Sequence, residues 1–183
     1  MMLQSATSVD GHVGWDVLRP DTVIWLSDPT GNLTVLTATD APVPGLSASF
    51  GGRISHHLGI NNLGEFVFRS LLSGPGVDSS NDSALWRGSN RNDLALIVRE
   101  GDPAPGMGAR VVFAEFFDSV VSGGGTVLFR GVLRGEGVDE TNDRSIWVNT
   151  RNGELLCIAR SGRHAPETQD GVLFRRFGPS VPT

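Results

Sequence analysis

Residues Gly64 to Ser122 recur as Gly125 to Thr183 at a fixed offset of 61 residues, without a gap. Of these 59 aligned pairs, 22 are identical. The identities fall on residue types that turns and cores demand: Gly64/Gly125, Phe68/Phe129, Gly74/Gly135, Asp78/Asp139, Asn81-Asp82/Asn142-Asp143, Trp86/Trp147, Arg99/Arg160, Ala104-Pro105/Ala165-Pro166 and Phe113/Phe174. A constant period of this size means one supersecondary unit copied along the chain, each copy burying its apolar surface against a neighbour. The pattern reaches upstream. Asp21-Thr22-Val23-Ile24-Trp25 matches Asp82-Ser83-Ala84-Leu85-Trp86 at the same offset, and Pro42-Val43-Pro44-Gly45 matches Pro103-Ala104-Pro105-Gly106. Phe50 then takes the part of Phe113 after a two-residue shift, and Leu3 to Ser8 supplies a first strand without the Gly and the Phe. The chain therefore divides into a degenerate first unit, 1–61, and two clear ones, 62–122 and 123–183, within one repeat domain.

Each unit reads as four short strands. In the second copy they are Gly64–Leu72, Ser83–Arg87, Leu94–Arg99 and Arg110–Phe117, rich in Val, Leu, Ile, Phe and Trp and bounded by Gly, Pro, Asn or Asp. The apolar residues come in short runs rather than at helical spacing, which predicts strands covered on both faces. A polar loop, Ser73–Asp82, follows the first strand, and a Pro-Ala-Pro-Gly turn follows the third. Four antiparallel strands per repeat make the blade of a β-propeller, so the predicted fold is all-β and propeller-like. Three units fall short of the ~4–8 blades that usually close a propeller. The expectation is three blades of a longer array, whose partners are further repeats of a longer chain or a second copy. An open arc completed by a partner, and a different threefold fold such as a trefoil or prism, are the alternatives.

Asn61-Asn62-Leu63-Gly64-Glu65-Phe66-Val67-Phe68 spells Asn-x-x-Gly-x-x-x-Phe. With Trp86 and the turn Arg99-Glu100-Gly101-Asp102-Pro103-Ala104-Pro105-Gly106, it resembles the bacterial tandem-repeat family named for that motif. The resemblance covers about Asp21 to Ser180, and the third copy departs from it with Ser122 in place of the Asn. It implies an extracellular or cell-surface location and supplies no catalytic residues. Physically, Asn61 and Gly64 suit a hairpin entry, since Asn bonds its own backbone and Gly takes a positive φ. Phe68, Phe129 and the three tryptophans Trp25, Trp86 and Trp147 read as core positions.

Charge and composition exclude several classes. A net charge of -5 leaves no basic footprint for nucleic acid. The chain has no Lys, which removes Schiff-base chemistry and the Lys of a phosphate-binding loop. No apolar run is long enough to insert in a membrane as a helix, and the first residues lack the basic and apolar regions of a signal peptide. Cys157 is the single cysteine and aligns with the strand residue Leu96, so it reads as a small core hydrophobe.

The residues left for chemistry are few. Asp78, Asn81 and Asp82, repeated as Asp139, Asn142 and Asp143, could supply oxygen ligands to Ca²⁺. The same residue types build Asx-turns, and the spacing is not that of an EF-hand loop, so the turn reading takes precedence. Arg69/Arg130 and Arg99/Arg160 recur at strand ends, where pairing with Asp82 and Asp143 would lock strand to loop. The functional version is a ring of Arg reading an anionic ligand such as an acidic sugar. His12, His56, His57 and His164 do not repeat, and no Gly-x-Ser-x-Gly elbow supports a hydrolase triad. The expected function is a non-catalytic binding or adhesion module that meets a carbohydrate or surface ligand through its loops. The rivals are a purely structural repeat and a propeller glycoside hydrolase or lyase using a carboxylate pair from among Glu65, Asp82, Asp102, Glu115 and Asp143.

Overall fold

The computed structural model describes residues 2–8, 21–27 and 30–177. Among them are eleven strands and no helix, in three antiparallel sheets. The first sheet has three strands, β1 (Met2–Ser8), β2 (Asp21–Ser27) and β3 (Leu33–Ala38). The second has four, β4 (Ser49–Ile60), β5 (Phe66–Ser73), β6 (Ser83–Gly88) and β7 (Ala95–Arg99). The third repeats that order with β8 (Val111–Val121), β9 (Val127–Gly135), β10 (Arg144–Asn149) and β11 (Leu155–Arg160).

The strands lie where the sequence places them, but the sheets do not coincide with the 61-residue units. The fourth strand read in unit 62–122 lies in β8, and β8 pairs with β9 of the next unit. Each four-stranded sheet thus takes its first strand from the preceding unit and three from its own. The connections explain why. A five-residue turn, 122–126, joins β8 to β9, and a link that short leaves antiparallel pairing as the only option. The connection before β8 is instead folded back on itself through the bridge Pro103↔Val112. The first copy also departs from the constant offset. Trp25 stands opposite Gln4, whereas Trp86 and Trp147 stand opposite Phe68 and Phe129. β1 is therefore three residues out of phase with β5 and β9.

The second sheet lies between the other two. On one face Phe50, Phe66, Phe68, Leu72 and Trp86 pack with Ile24, Leu26 and Leu36 of the first sheet. On the other, Val67, Leu85 and Val98 pack with Val111, Phe113, Phe116, Phe129, Leu133 and Trp147 of the third. Successive residues of a strand point to opposite faces, so Val67 and Phe68 serve different interfaces although both are fully buried. The expectation of two covered faces holds for β5 and β6. It fails at the ends of the stack, where Ile158 on β11 is 53% exposed.

Trp86 and Trp147 have like surroundings. Each is fully buried against a Phe from the first strand of its sheet, Phe50 at 5.3 Å and 59°, Phe113 at 4.8 Å and 62°. Each indole N–H donates to a serine Oγ, Ser70 at 2.9 Å and Ser145 at 2.8 Å. These serines are not aligned. Ser70 aligns with Gly131, and Ala84 with Ser145. The hydroxyl has moved from the neighbouring strand to the tryptophan's own strand, and the bond is kept. A buried donor left unpaired costs about 1–3 kcal/mol, so the two differences compensate.

The crossover between sheets is built three times. The N–H groups of Asp40, Gly101 and Gly162 donate to the carbonyls of Phe50, Phe113 and Phe174 at 2.8, 2.9 and 2.8 Å. The donor residue has φ of 64°, 85° and 74° in turn. Asp is among the few side chains that tolerate this region, which accounts for Asp40 in the first copy.

Candidate functional site

The meanders send alternate connections to opposite ends of the stack. Short turns, 61–65, 89–94, 122–126 and 150–154, gather at one end. Longer loops, 74–82, 100–110, 136–143 and 161–171, gather at the other.

The turn end holds the Asn-x-x-Gly motif. Asn61 Oδ1 accepts from the N–H groups of Leu63 and Glu65, both at 2.9 Å, with Gly64 at φ 78°. Ser122 Oγ and Thr150 Oγ1 cap their own turns in the same way, each at 3.1 Å. The turn at Thr150 falls outside the aligned motif positions and was not legible as a copy; its Thr-x-x-Gly spacing is the signal. Asn61 does something more. Its Nδ2 donates to the Ser122 carbonyl at 2.8 Å, tying its turn to the equivalent turn of the next sheet. A serine can make the turn but not the tie. Arg87 extends the seam, with Nη1 donating to Asn149 Oδ1 at 2.8 Å and the Thr150 carbonyl at 2.9 Å, and Nη2 to the Gly125 carbonyl at 2.7 Å. Glu65 pairs with Arg151 at 3.0 Å. A Cβ on Gly125 would stand 2.7 Å from Glu65 Oε2, which the Glu65 side chain could yield, so it is the φ of 78° that favours glycine here.

At the loop end, the six candidate Ca²⁺ ligands fall in two separate loops, 74–82 and 136–143. Asp78 Oδ1 accepts from Ser80 N–H at 2.8 Å and Ser80 Oγ at 2.6 Å. Asn81 Oδ1 accepts from Asp78 N–H at 3.0 Å and Arg99 Nη2 at 2.7 Å, while its Nδ2 donates to the Gly76 carbonyl at 3.1 Å. Asp139 and Asn142 repeat these bonds with Thr141, Arg160 and Gly137. The bonds from Ser80 and Thr141 hold the Asp78 and Asp139 carboxyls below the ordinary aspartate range. Asp82 and Asp143 instead present their carbonyls to the N–H groups of Leu72 and Leu133, at 2.6 and 2.8 Å. The Asp143 carboxylate lies 3.5 Å from Arg144 Nε. No group of three or more His, Cys, Asp or Glu residues among the described residues is placed to hold a metal ion.

The expected arginine–aspartate locks are corrected in their partners. Arg99 grips Asn81 through the carbonyl, at 2.5 Å, and Oδ1; Arg160 grips Asn142 through the carbonyl at 2.7 Å and Oδ1 at 2.8 Å. A guanidinium fork fits the paired oxygens of one Asn as it fits a carboxylate. Arg69 and Arg130 reach onward to the carbonyls of Phe116 and Phe177, at 2.6 and 2.9 Å. Arg130 also pairs with Asp118. The Phe117 ring has two guanidiniums over it, Arg130 at 5.6 Å and Arg144 at 5.5 Å.

The candidate acids do not all lie at one end of the stack. Glu65 is at the turn end, and Asp102 Oδ2 accepts from Arg99 N–H at 2.7 Å as part of a turn. Asp82 and Glu115 both act on Glu100, whose carboxyl is raised above its ordinary value by burial first, then by those two negative neighbours. A raised folded value means that the fold favours protonated Glu100. Its contribution is present below the unfolded value and is lost as pH rises through the folded one. Glu100→Gln is therefore expected to raise the melting temperature near neutral pH and to leave it unchanged near about pH 3, where both forms are neutral. Thermal scans across that range check the sign.

Beside the C-terminal segment lies an open groove of about 1560 Å³, lined by Phe117, Arg130, Asn142, Arg144, Leu173 and Phe177 among others. Cys157 is half-buried against the third-sheet core, and burial pushes its thiol up. His12 lies outside the described residues, as do the side chains of His56 and His57; His164 Nε2 is 3.2 Å from the Gln169 carbonyl.

Residues 8–181 match the model of a family of unknown function, DUF7453. Neither a curated protein nor a solved structure matches the chain.

Proposed function

The chain belongs to family DUF7453, and from that premise and the geometry above we propose that it is a non-catalytic, β-propeller-like repeat module of a secreted or cell-surface bacterial protein. It holds a carbohydrate or another surface ligand with the longer loops. One observation carries this reading: the longer loops 74–82, 100–110, 136–143 and 161–171 all leave the same end of the stack, while the turn end is laced by Asn61, Arg87 and Glu65. Ligand sites favour loops that a rigid scaffold positions. The arginine clamps on Asn81 and Asn142 make the loop stems rigid, and Ser79 and Glu140 stand exposed on these loops. The surface and adhesive setting is supported by the resemblance to the Asn-x-x-Gly-x-x-x-Phe repeat family. No helix among the described residues is long and apolar enough to cross a membrane.

The test is an array of neutral and acidic polysaccharides probed with the chain. The double variant Ser79→Trp, Glu140→Arg is expected to lose the binding seen with the parent, and Leu63→Arg at the turn end to keep it. Cleavage of any glycan, or the same loss from Leu63→Arg, would overturn the reading. A chelator arm addresses Ca²⁺. The melting temperature is expected not to change, because Asp78 Oδ1, Asn81 Oδ1, Asp139 Oδ1 and Asn142 Oδ1 already accept hydrogen bonds from the protein's own donors. A fall of several degrees on chelation would restore these residues, with Asp82 and Asp143, as a cation site.

A further inference from the structure

We propose that Asn152 is a site of spontaneous deamidation whose rate is set by the seam at the turn end. When the turn 150–154 opens, the Gly153 nitrogen closes on the Asn152 side chain and a carboxylate is left on the turn.

Asn152-Gly153 is the one Asn-Gly pair in the chain. It lies in the turn between β10 and β11, and both residues are exposed. The reaction joins the backbone nitrogen of the following residue to the Asn Cγ, so a side chain on that residue stands in its way. Gly153 has none, and a Cβ built there would meet no atom within 4 Å. The Asn152 carboxamide is equally unhindered, since among the described residues it makes no hydrogen bond. Asn32, Asn61, Asn81, Asn90, Asn142 and Asn149 differ, because each has its carboxamide engaged by a neighbour. Asn62 and Asn92 are followed by Leu63 and Asp93, whose side chains obstruct the attack. The aligned turn of the second sheet has Arg91-Asn92 at the two positions, so the site has no copy there.

The atoms balance with water as the only co-reactant. The bond from the Gly153 nitrogen to Asn152 Cγ forms as the Cγ–Nδ2 bond breaks, and the proton of the Gly153 N–H leaves with that amide nitrogen as ammonia. Water then opens the cyclic imide. Opening at Cγ restores the backbone and leaves an aspartate side chain. Opening at the main-chain carbonyl carbon routes the backbone through the side chain and lengthens it by one methylene. A neutral amide becomes a carboxylate either way, which takes the net charge from -5 to -6.

The folded turn holds this chemistry back. Gly153 N–H donates to the Thr150 carbonyl at 2.9 Å, so the proton that must leave is held until that bond opens. Glu154 N–H donates to Thr150 Oγ1 at 3.1 Å, and Thr150 N–H to the Glu154 carbonyl at 2.8 Å. Arg87, on β6 of the second sheet, grips the same Thr150 carbonyl at 2.9 Å and Asn149 Oδ1 at 2.8 Å. Conversion therefore proceeds from the locally opened turn, in proportion to its population. Arg87 is the positioning residue that keeps this population low. The lengthened product no longer fits a turn closed by these bonds, so conversion releases Thr150 from Arg87 and loosens the seam between the second and third sheets.

The test is incubation of the intact chain in mildly alkaline buffer, with tryptic peptides followed by mass spectrometry. Trypsin cuts after Arg151 and Arg160, which separates Asn152 from every other asparagine. This peptide is expected to pass from amide to acid, as two acid forms that chromatography resolves, severalfold faster than any other asparagine peptide. Asn152→Ser should stop the rise in charge. Arg87→Gln, shown to be folded by circular dichroism, should convert severalfold faster than the parent, and the parent unfolded in urea faster still. If Arg87→Gln does not fold, Glu65→Gln, which releases Arg151 of the same turn, makes the same comparison. An amide that stays intact at Asn152 in the folded chain, a faster asparagine elsewhere, or a folded seam variant that converts no faster than the parent would overturn the proposal.

Discussion

Trp86→Ala and Trp147→Ala should each destabilise the chain by about 3–5 kcal/mol, and by similar amounts. Each substitution removes a fully buried indole, leaves a void against Phe50 or Phe113, and strips a buried serine hydroxyl of its donor. Trp25→Ala should cost a small fraction of that, because Trp25 is only half-buried and lies on the face of β2 opposite Ile24 and Leu26, which pack on the second sheet. Urea unfolding of the three variants reads the difference as shifts of midpoint at constant slope. Equal costs for all three would remove the distinction between inner and outer sheet faces on which the stack depends.

Gly135→Ala should be nearly as severe, at about 3–5 kcal/mol. The residue has φ 136°, and an added Cβ would stand 2.0 Å from the Arg110 carbonyl oxygen. Backbone cannot rotate aside as a side chain can, so β8 and β9 would have to part at their first pair, Val111↔Gly135. Gly74 occupies the same place in the sequence repeat, with φ 121°, yet its nearest neighbour would be Ala48 Cα at 3.5 Å. Gly74→Ala should therefore carry only the conformational cost, about 1–2 kcal/mol. The inequality arises because β4 and β5 begin their pairing one pair further in, at Ser49↔Ser73, the counterpart of Val112↔Arg134, and leave Gly74 beyond the ladder. Equal destabilisation by the two alanines would contradict this account of the edge.

How much of this was legible in the chain depends on how local the cause is. Period, strand positions and all-β class follow from short apolar runs and from glycines at turns, and these lie in the sequence itself. The sheet boundaries do not. In a periodic chain the start of a unit is arbitrary, and the assignment of Arg110–Phe117 to the next sheet depends on a short turn at 122–126 winning over a longer, self-bridged connection at 100–110. The compensating pair Ser70/Gly131 and Ala84/Ser145 reads as two unrelated mismatches until both hydroxyls are found on the indole nitrogens. The candidate loops were legible as loops, and their Asp and Asn residues as turn formers. The arginine partners were not. Complementary charge pointed to Asp82 and Asp143, while Asn81 and Asn142 offer two oxygens to one fork. The tie from Asn61 to the Ser122 carbonyl joins equivalent positions of neighbouring sheets, and no single copy of the motif contains it.

The most direct measurement is native-state hydrogen exchange, resolved by strand. The second sheet is covered on both faces by equivalent interfaces, so the amides of β5 and β6 should exchange only through global unfolding. Those of β11, next to the exposed Leu156 and Ile158, should exchange faster through local opening. Amides of β5 and β6 that exchange as fast as those of β11 would mean that the sheets are not stacked as described.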